Sequence, residues 1–475
     1  MTGEVVQISS ELIHHISVEQ AWHYRIAPMN ILEEKIWLYC EPRGDQAELS
    51  AELEVLLGKP VILKEIASND MTRLLSQYYI RELQGENIIN ERLTSAPDDV
   101  LNQLIEEAKK LKSSDIHIEC YEELCRIRIR IDGLLIERYL LTKVEYPAMV
   151  NKIKILANLD IAEKRLPQDG RISYKRESLQ FDIRVSVLPT LYGEKVVLRL
   201  LNNDATNIEI SSLGFSEKDL KSYLEGVKRP NGIILISGPT GSGKTTTLYA
   251  TLKLLNKKTR NIITVEDPIE YTLEGVNQVQ LKENIGLTFA AALKTFLRQD
   301  PDVIMVGEIR DPETANMAIR AALTGHLVLS TIHTNSAWGT VSRLIDMGIP
   351  SFLVANTLNT SVAQRLLRLL CPDCKNRVAM SSDLFPEHFA PPFNVEAHWV
   401  PVGCERCFFT GYKGRRAVYE VVSLDREFSE SVKSGTMNVD DLFQKKGIRR
   451  IGENAFDLFA DGQTSFEEIY PLLYQ

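Results

Sequence analysis

The chain has 475 residues, a formal net charge of −9 at pH 7 and 44% hydrophobic residues. This length exceeds what one hydrophobic core usually serves, so we expect two or three domains. The negative net charge argues against general electrostatic binding to nucleic acid or anionic lipid, because binding to either one needs clustered Lys and Arg. Neither a membrane-spanning apolar run nor a signal-peptide pattern is recognisable, so the sequence predicts a cytosolic protein.

Three domains are predicted in chain order. Residues 1–85 alternate short apolar runs with polar helical stretches, which predicts a small α+β docking domain. Residues 94–202 are predicted to form a mixed α/β domain. A polar stretch, 202–212, is the expected linker to the third domain. In residues 212–475, strand and helix patterns alternate, which favours a parallel sheet with helices on its faces.

The second domain opens with helical periodicity over 97–112. Apolar and Arg residues then alternate in Cys125–Ile131, as in a half-buried strand, and Asp132 with Gly133 predicts the turn that follows. The remaining elements predicted here are a helix over 146–159 and strands over 181–187 and 195–200.

A Walker A pattern follows the apolar run Gly232–Ser237 and leads into a helical stretch. Its glycines allow backbone N–H groups to surround phosphates, Lys244 can reach the β and γ oxygens, and Thr245 is the expected magnesium ligand. The alternative is a glycine-rich turn that matches by chance, which the flanking strand and helix oppose. The predicted nucleotide-binding residues are Gly238, Pro239, Thr240, Gly241, Ser242, Gly243, Lys244, Thr245 and Thr246.

Two carboxylates are candidate catalytic residues. Glu308 ends an apolar run, as a Walker B acid does, although it could instead be a strand-end charge paired with Arg310. Glu266 follows another apolar strand and could orient magnesium or the attacking water. His326 and His333 flank a third core strand; they are either structural histidines or phosphate sensors.

Four cysteines form two C-x2-C pairs, Cys371 with Cys374 and Cys404 with Cys407. Because cytosolic thiols stay reduced, tetrahedral zinc coordination is the expected role, and redox-active or merely buried thiols are the alternative. With no ligand that leaves an open coordination position, the zinc site is predicted to be structural. The other three cysteines, which include Cys120 and Cys125, are expected to be simple thiols.

From about residue 95 onward, the chain resembles the secretion ATPases of type II secretion systems and type IV pili. The motifs that carry the resemblance in the second domain are 114–119, 130–133 and 166–171. The resemblance implies a RecA-like P-loop core preceded by a PAS-like domain. It also identifies 263–271 as the aspartate box and 324–334 as the histidine box.

In this family six subunits form a ring, and the resemblance assigns phosphate contacts to Arg171, Arg184 and Arg199, with Arg343 as a further candidate. The tetracysteine loop, 371–407, resembles that of the secretion and pilus-extension branches. The implied partners are a polytopic inner-membrane platform protein and a cytoplasmic arm of a membrane assembly protein, which the N-terminal domain would contact. Cys120 departs from the family pattern, which usually has Pro at this position.

The sequence therefore predicts an ATPase that binds ATP, Mg²⁺ and Zn²⁺ and powers pseudopilus or pilus assembly at the inner membrane. Two other functions remain open. A nucleic-acid motor also combines zinc knuckles with a P-loop, although a net charge of −9 opposes it. A scaffold could bind nucleotide without hydrolysing it, although Lys244, Thr245 and Glu308 are all present.

Overall fold

The structure is a computed structural model, and it describes residues 16–32, 35–42, 46–67, 71, 74–75, 97–176, 179–201, 208–380, 384–386, 389, 391–436 and 438–474. Internal contacts separate a smaller unit, which includes the described residues up to 75, from a larger one that includes 97–401 and 412–474. Parts of the predicted docking domain (1–15 and 76–85) and of the predicted linker (202–207) lie outside the described residues.

The smaller unit is a three-stranded sheet with helices, as the α+β expectation for this region requires. Strands β1 and β2 are antiparallel, and β2 and β3 are parallel. Ile26, Leu38 and Leu53 are fully buried in its core. The elements are α1 (Val18–Tyr24), β1 (Ile26–Leu32), β2 (Lys35–Cys40), α2 (Gln46–Leu57) and β3 (Val61–Glu65).

The larger unit begins with a six-stranded antiparallel sheet in the order β6-β5-β4-β9-β8-β7. Two helices and one face of the sheet share an apolar core, and the other face carries charged side chains. The elements are α3 (Pro97–Lys110), β4 (Asp115–Cys120), β5 (Cys125–Ile131), β6 (Leu134–Leu141), α4 (Glu145–Leu156), β7 (Gln168–Arg176), β8 (Leu179–Thr190) and β9 (Gly193–Leu201).

The turn between β5 and β6 has the conformation that its two residues predict. Asp132 and Gly133 have φ angles of 48° and 90°. Both values are positive, as a two-residue hairpin turn with the right-handed twist of its strands requires. Ile131 is aligned with Leu134 across this turn, and the hairpin has one register shift, between Ile127 and Arg128.

The rest of the larger unit is a seven-stranded sheet in the order β12-β11-β13-β14-β10-β15-β18, in which only the pair β15 and β18 is antiparallel. The elements are α5 (Glu217–Val227), β10 (Gly232–Ser237), α6 (Lys244–Leu255), β11 (Ile262–Glu266), β12 (Asn277–Gln280), α7 (Phe289–Phe296), β13 (Val303–Val306), α8 (Pro312–Leu323), β14 (Leu327–Ile332), α9 (Gly339–Asp346), α10 (Ser351–Thr357), β15 (Leu358–Leu370), β16 (Asn376–Ala379), β17 (Ala397–Val400), β18 (Tyr412–Ser423), α11 (Arg426–Ser434), α12 (Asp440–Lys446), α13 (Ile451–Ala460) and α14 (Phe466–Ile469).

This sheet is covered on both faces. Along β10, Ile233 and Leu235 belong to one apolar core, and Ile234 and Ile236 belong to another. A parallel sheet buried on both faces reads as a continuous apolar run, which explains the sequence of β10. The predicted α/β class with a parallel P-loop core is confirmed. Among the described residues, no helix has the length and apolar character needed to cross a bilayer.

Close packing of α5 on β15 depends on a glycine. A Cβ atom added to Gly226 would lie 2.1 Å from Oγ1 of Thr360. Threonine is β-branched and has few rotamers with which to move away. We expect Gly226→Ala to destabilise the core by roughly 1–3 kcal/mol, despite the better helix propensity of Ala.

The measurement is the thermal unfolding midpoint of the purified chain. Glu225→Ala changes the neighbouring, exposed helix residue and serves as the control. A Gly226→Ala protein that melts with or above the parent would show that β15 can shift away from α5 at little cost.

Candidate active site

The Walker A loop joins the carboxyl end of β10 to α6. Gly238 has φ 147°, and a Cβ atom there would lie 2.4 Å from the backbone oxygen of Gln364, so only glycine fits. Gly243 caps α6 with φ 84°, a left-handed conformation. The amino end of α6, with its free N–H groups and positive dipole, therefore opens directly onto the loop.

Lys244, the first residue of α6, turns back over the loop. Its Nζ donates hydrogen bonds to the carbonyl oxygens of Gly238, at 2.8 Å, and Pro239, at 2.9 Å. Burial lowers the pKa of Lys244, and the nearby Glu308 carboxylate opposes that shift. The structure thus brings the predicted phosphate-binding lysine and the predicted Walker B carboxylate into one electrostatic environment.

Glu308 lies just beyond β13, held by backbone bonds to the adjacent strands. The N–H of Gly307 donates to Val265 at 2.8 Å. The carboxylate of Glu308 forms an ion pair with Arg310, and its Oε2 lies 3.5 Å from Nε2 of His333. The Arg310 pairing that the sequence offered as an alternative is present. However, the Glu308 side chain is only 15% exposed, whereas the Arg310 side chain is 58% exposed, and the Glu308 charge also acts on Lys244. Glu308 is therefore not simply a surface charge.

The two predicted histidines lie at opposite edges of the sheet. Ser237 of β10 is aligned with Ile332 of β14, so His333 follows the strand beside the Walker A loop. A cavity of about 220 Å³ is lined there by Gly238, Pro239, His333, Thr334 and Asn335.

His326 precedes β14, whose six residues span about 20 Å. Its Nδ1 lies 2.9 Å from the carbonyl oxygen of Ala321, which a protonated ring nitrogen can bind, and 3.1 Å from Oγ1 of Thr324. The parallel register, which the sequence does not reveal, places this ring away from the loop. The structure therefore does not support a contact between His326 and phosphates bound at its own chain's loop.

Glu266, at the end of β11, is 3% exposed and accepts three side-chain hydrogen bonds. Thr264 donates at 2.6 Å, Gln278 at 3.1 Å and Tyr249 through a short contact. Burial and the Glu266 charge raise the pKa of Tyr249, which keeps this hydroxyl protonated and donating. The carboxylate is thereby fixed against α6.

The three arginines predicted in the second domain form a row across β7, β8 and β9. Arg171 is aligned with Arg184, and Arg184 with Arg199. Like charges on directly opposed residues destabilise a sheet. Two carboxylates offset part of this repulsion, because Asp182 pairs with Arg171 at 2.5 Å and Asp115 pairs with Arg199 at 2.9 Å.

The middle arginine of the row reaches the aspartate box. Arg184 lies 3.3 Å from the carboxylate of Glu270 and also donates to the carbonyl oxygen of Ile269. The row thus faces the segment that follows β11. Arg343 is exposed on α9, and the structure records no hydrogen bond or ion pair between its side chain and the fully described loop 238–246.

Sequence reasoning missed Gln364, which β15 carries under the Walker A loop. Its side chain donates to the carbonyl oxygen of Ser242 at 2.7 Å and accepts from the Thr247 hydroxyl at 2.9 Å. The next residue, Arg365, donates to the carbonyl oxygen of Asn335 at 2.9 Å. Together they connect the Walker A loop to the loop that follows His333. Gln364 and Arg365 belong to no motif in the sequence, so no local pattern marks them.

The four predicted zinc ligands come together. Their sulfur atoms all lie within 4.8 Å of one another. Sγ of Cys404 and Sγ of Cys407 are 3.7 Å apart, close to the roughly 3.8 Å edge of a tetrahedron with 2.3 Å zinc–sulfur bonds. The backbone N–H groups of Cys404 and Gly411 point at Sγ of Cys407, as donors to a metal-bound thiolate do. The four ligands are Cys371, Cys374, Cys404 and Cys407.

Comparisons with known proteins agree with this geometry. The family described as "Type II/IV secretion system protein" matches residues 92–471. Type II secretion system protein E of Aeromonas hydrophila is 42% identical, with 91% of each chain covered. Type IV pilus assembly ATPase PilB of Myxococcus xanthus is 46% identical, with 81% of this chain and 70% of that protein covered. The crystal structure of the pilus retraction motor PilT with bound ADP is 26% identical, covers 78% of this chain and 96% of its own, and has a TM-score of 0.54. The chain is a member of the Type II/IV secretion system protein family of ATPases.

Proposed function

We propose that the chain hydrolyses ATP to power assembly of a pseudopilus for type II secretion or extension of a type IV pilus. The observation that carries this proposal is the convergence of Lys244, Glu308 and His333 at the carboxyl edge of a parallel sheet. Ligands of such sheets bind at this edge. The relatives named for secretion and pilus assembly, at 42% and 46% identity, supply the biological context.

Each group at the loop has a distinct chemical task. Lys244 would exchange its two loop carbonyls for the β and γ phosphate oxygens, and Thr245 would contribute its hydroxyl to Mg²⁺. Mg²⁺ supplies charge neutralisation between the phosphates when bound. In this proposal Glu308 aligns a water molecule and takes its proton as the water oxygen attacks the γ phosphorus. His333, beside Glu308, would sense the γ phosphate.

Glu266 contributes a second carboxylate, and its surroundings indicate how it acts. Three donors, from Tyr249, Thr264 and Gln278, hold the buried group in one orientation. This favours orienting the magnesium shell and the segment after β11 over direct proton transfer.

The arginine row would complete the phosphate site in a ring of six subunits. Three aligned guanidinium groups, Arg171, Arg184 and Arg199, repel one another unless anions lie between them. Phosphate oxygens match the geometry of guanidinium donors. Arg343 is proposed as a further phosphate contact because it is also positively charged. His326 is proposed to be a structural histidine.

We assign a structural zinc ion to the tetracysteine cluster. Four sulfur donors, with no nitrogen or oxygen ligand among them, suit zinc, and they leave no coordination position for a substrate. The proposed setting is the cytoplasmic side of the inner membrane. There the chain would contact a platform protein, and its N-terminal domain would bind a cytoplasmic arm of an assembly protein.

Glu308→Gln tests the catalytic assignment. The amide keeps the size of the side chain but cannot accept the proton of water, so we expect turnover to fall by about 100- to 10,000-fold while ATP still binds. The measurements are magnesium-dependent phosphate release and nucleotide binding by the assembled protein. Glu430→Gln, in an exposed ion pair with Arg426, is the matched control.

Unchanged turnover in Glu308→Gln would remove this residue from the catalytic role. Two further results distinguish the other functions. A parent protein that binds ATP tightly but does not hydrolyse it, even with its membrane partners present, would be a scaffold. Turnover stimulated by DNA would indicate a nucleic-acid motor.

Gln364→Leu tests the support of the Walker A loop. The change leaves the buried Ser242 carbonyl without its donor, a cost of about 1–3 kcal/mol, so we expect the KM for ATP to rise roughly 5- to 150-fold with a smaller effect on kcat. Gln444→Leu, on the exposed surface of α12, is the control. A lower melting temperature with an unchanged KM would show that Gln364 stabilises the fold but does not support ATP binding.

Cys374→Ser tests the metal assignment. We expect about one zinc per parent chain by elemental analysis, and loss of most of it in the variant, because three thiolates hold zinc much less tightly than four. The thermal midpoint should fall as well. Cys120→Ser, outside the cluster, should keep its zinc; equal zinc in both variants would refute the site.

A further inference from the structure

A second pair of cysteines lies at the end of the β4–β5 hairpin. Cys120 and Cys125 are directly opposed in the antiparallel register. The next pair toward the turn is hydrogen-bonded, since the N–H of Tyr121 donates to Leu124 at 2.8 Å. Cys120 and Cys125 are therefore a non-hydrogen-bonded pair, with the Cα separation of about 4.5 Å typical of that position. This separation lies within the range that a disulfide bridges.

The two sulfur atoms face each other. They lie 2.7 Å apart, about 0.7 Å more than the length of an S–S bond, so the two thiols are within reach of each other. The sequence led us to expect two simple thiols here.

The surroundings give the two thiols different accessibility. Cys120 is partly exposed and lines a cavity of about 240 Å³, together with Tyr146, Tyr192 and Gly193. Cys125 is fully buried. Burial and the hydrogen bond with Cys120 raise the pKa of Cys125 to about 12, so this thiol stays protonated. A small oxidant arriving through the cavity therefore meets Cys120 first.

We propose that Cys120 and Cys125 form a reversible redox site that a peroxide oxidises to an intramolecular disulfide. The Cys120 thiol ionises and its sulfur attacks one peroxide oxygen, the O–O bond breaks, and the released hydroxide takes up the proton that the thiol lost, which gives water. The resulting sulfenic sulfur is attacked by Cys125, which loses its proton as the S–O bond breaks and a second water leaves. In total, two thiols and hydrogen peroxide give one disulfide and two waters. A dithiol reductant reverses the change.

The test uses the full-length, zinc-loaded protein and hydrogen peroxide. Trypsin cleaves after Lys112 and Arg126, so both cysteines fall in one fragment, 113–126. After peroxide treatment and alkylation with N-ethylmaleimide, we expect this fragment to be two hydrogens lighter and unalkylated by mass spectrometry. Dithiothreitol added before alkylation should restore two alkylation sites.

Matched variants locate the bond. Cys120→Ser should abolish the two-hydrogen loss and leave Cys125 open to alkylation after unfolding, whereas Cys40→Ser should keep the loss. The proposal is overturned if both thiols of the parent remain alkylable, or if Cys120 proceeds to sulfinic acid without linkage, at a peroxide dose that leaves zinc bound. Neither result depends on ATP turnover, so the proposed motor function is tested separately.

Discussion

The parallel alignment of β10, β13 and β14 is the constraint on which the active site depends. Since parallel strands present their carboxyl ends at one edge, the loop after β10, Glu308 after β13 and His333 after β14 meet there without being close in sequence. Residues that precede the strands are carried to the other edge, about 20 Å away for β14. That rule accounts for the position of His326.

Charge is the second organising feature. The sheet of the second domain has an apolar face buried by α3 and α4, and a charged face on which Arg171, Arg184 and Arg199 oppose one another. Paired acids offset this repulsion only partly, and Arg171 and Arg199 remain about 60% exposed. These exposed guanidinium groups are the basis of the proposal that the row binds phosphate, because phosphate oxygens match the geometry of guanidinium donors.

Local patterns in the sequence predicted a large part of this structure. Four features are each recognisable from a few consecutive residues. They are the apolar run of β10, the Walker A loop, the alternation in β5 and the paired cysteines. The support of Glu266 by Tyr249 and Gln278 could not be predicted, because it joins three elements. Gln364 was missed for the same reason. The strands β6 and β7, which lack clean alternation, are recognisable only by their pairing with β5 and β8.

Strand β15 links two parts of the molecule mechanically. It carries Gln364, whose side chain binds the Walker A loop, and it ends six residues later at Leu370, next to Cys371. The seven-residue step from Gln364 to Cys371 spans roughly 23 Å in an extended strand. Its partner β18 is aligned with it from Thr360 to Leu370, with one register shift, between Arg368 and Leu370. One strand therefore carries both the glutamine that supports the Walker A loop and, just past its end, the first of the two C-x2-C pairs. The distance between these two sites is set by the length of that strand.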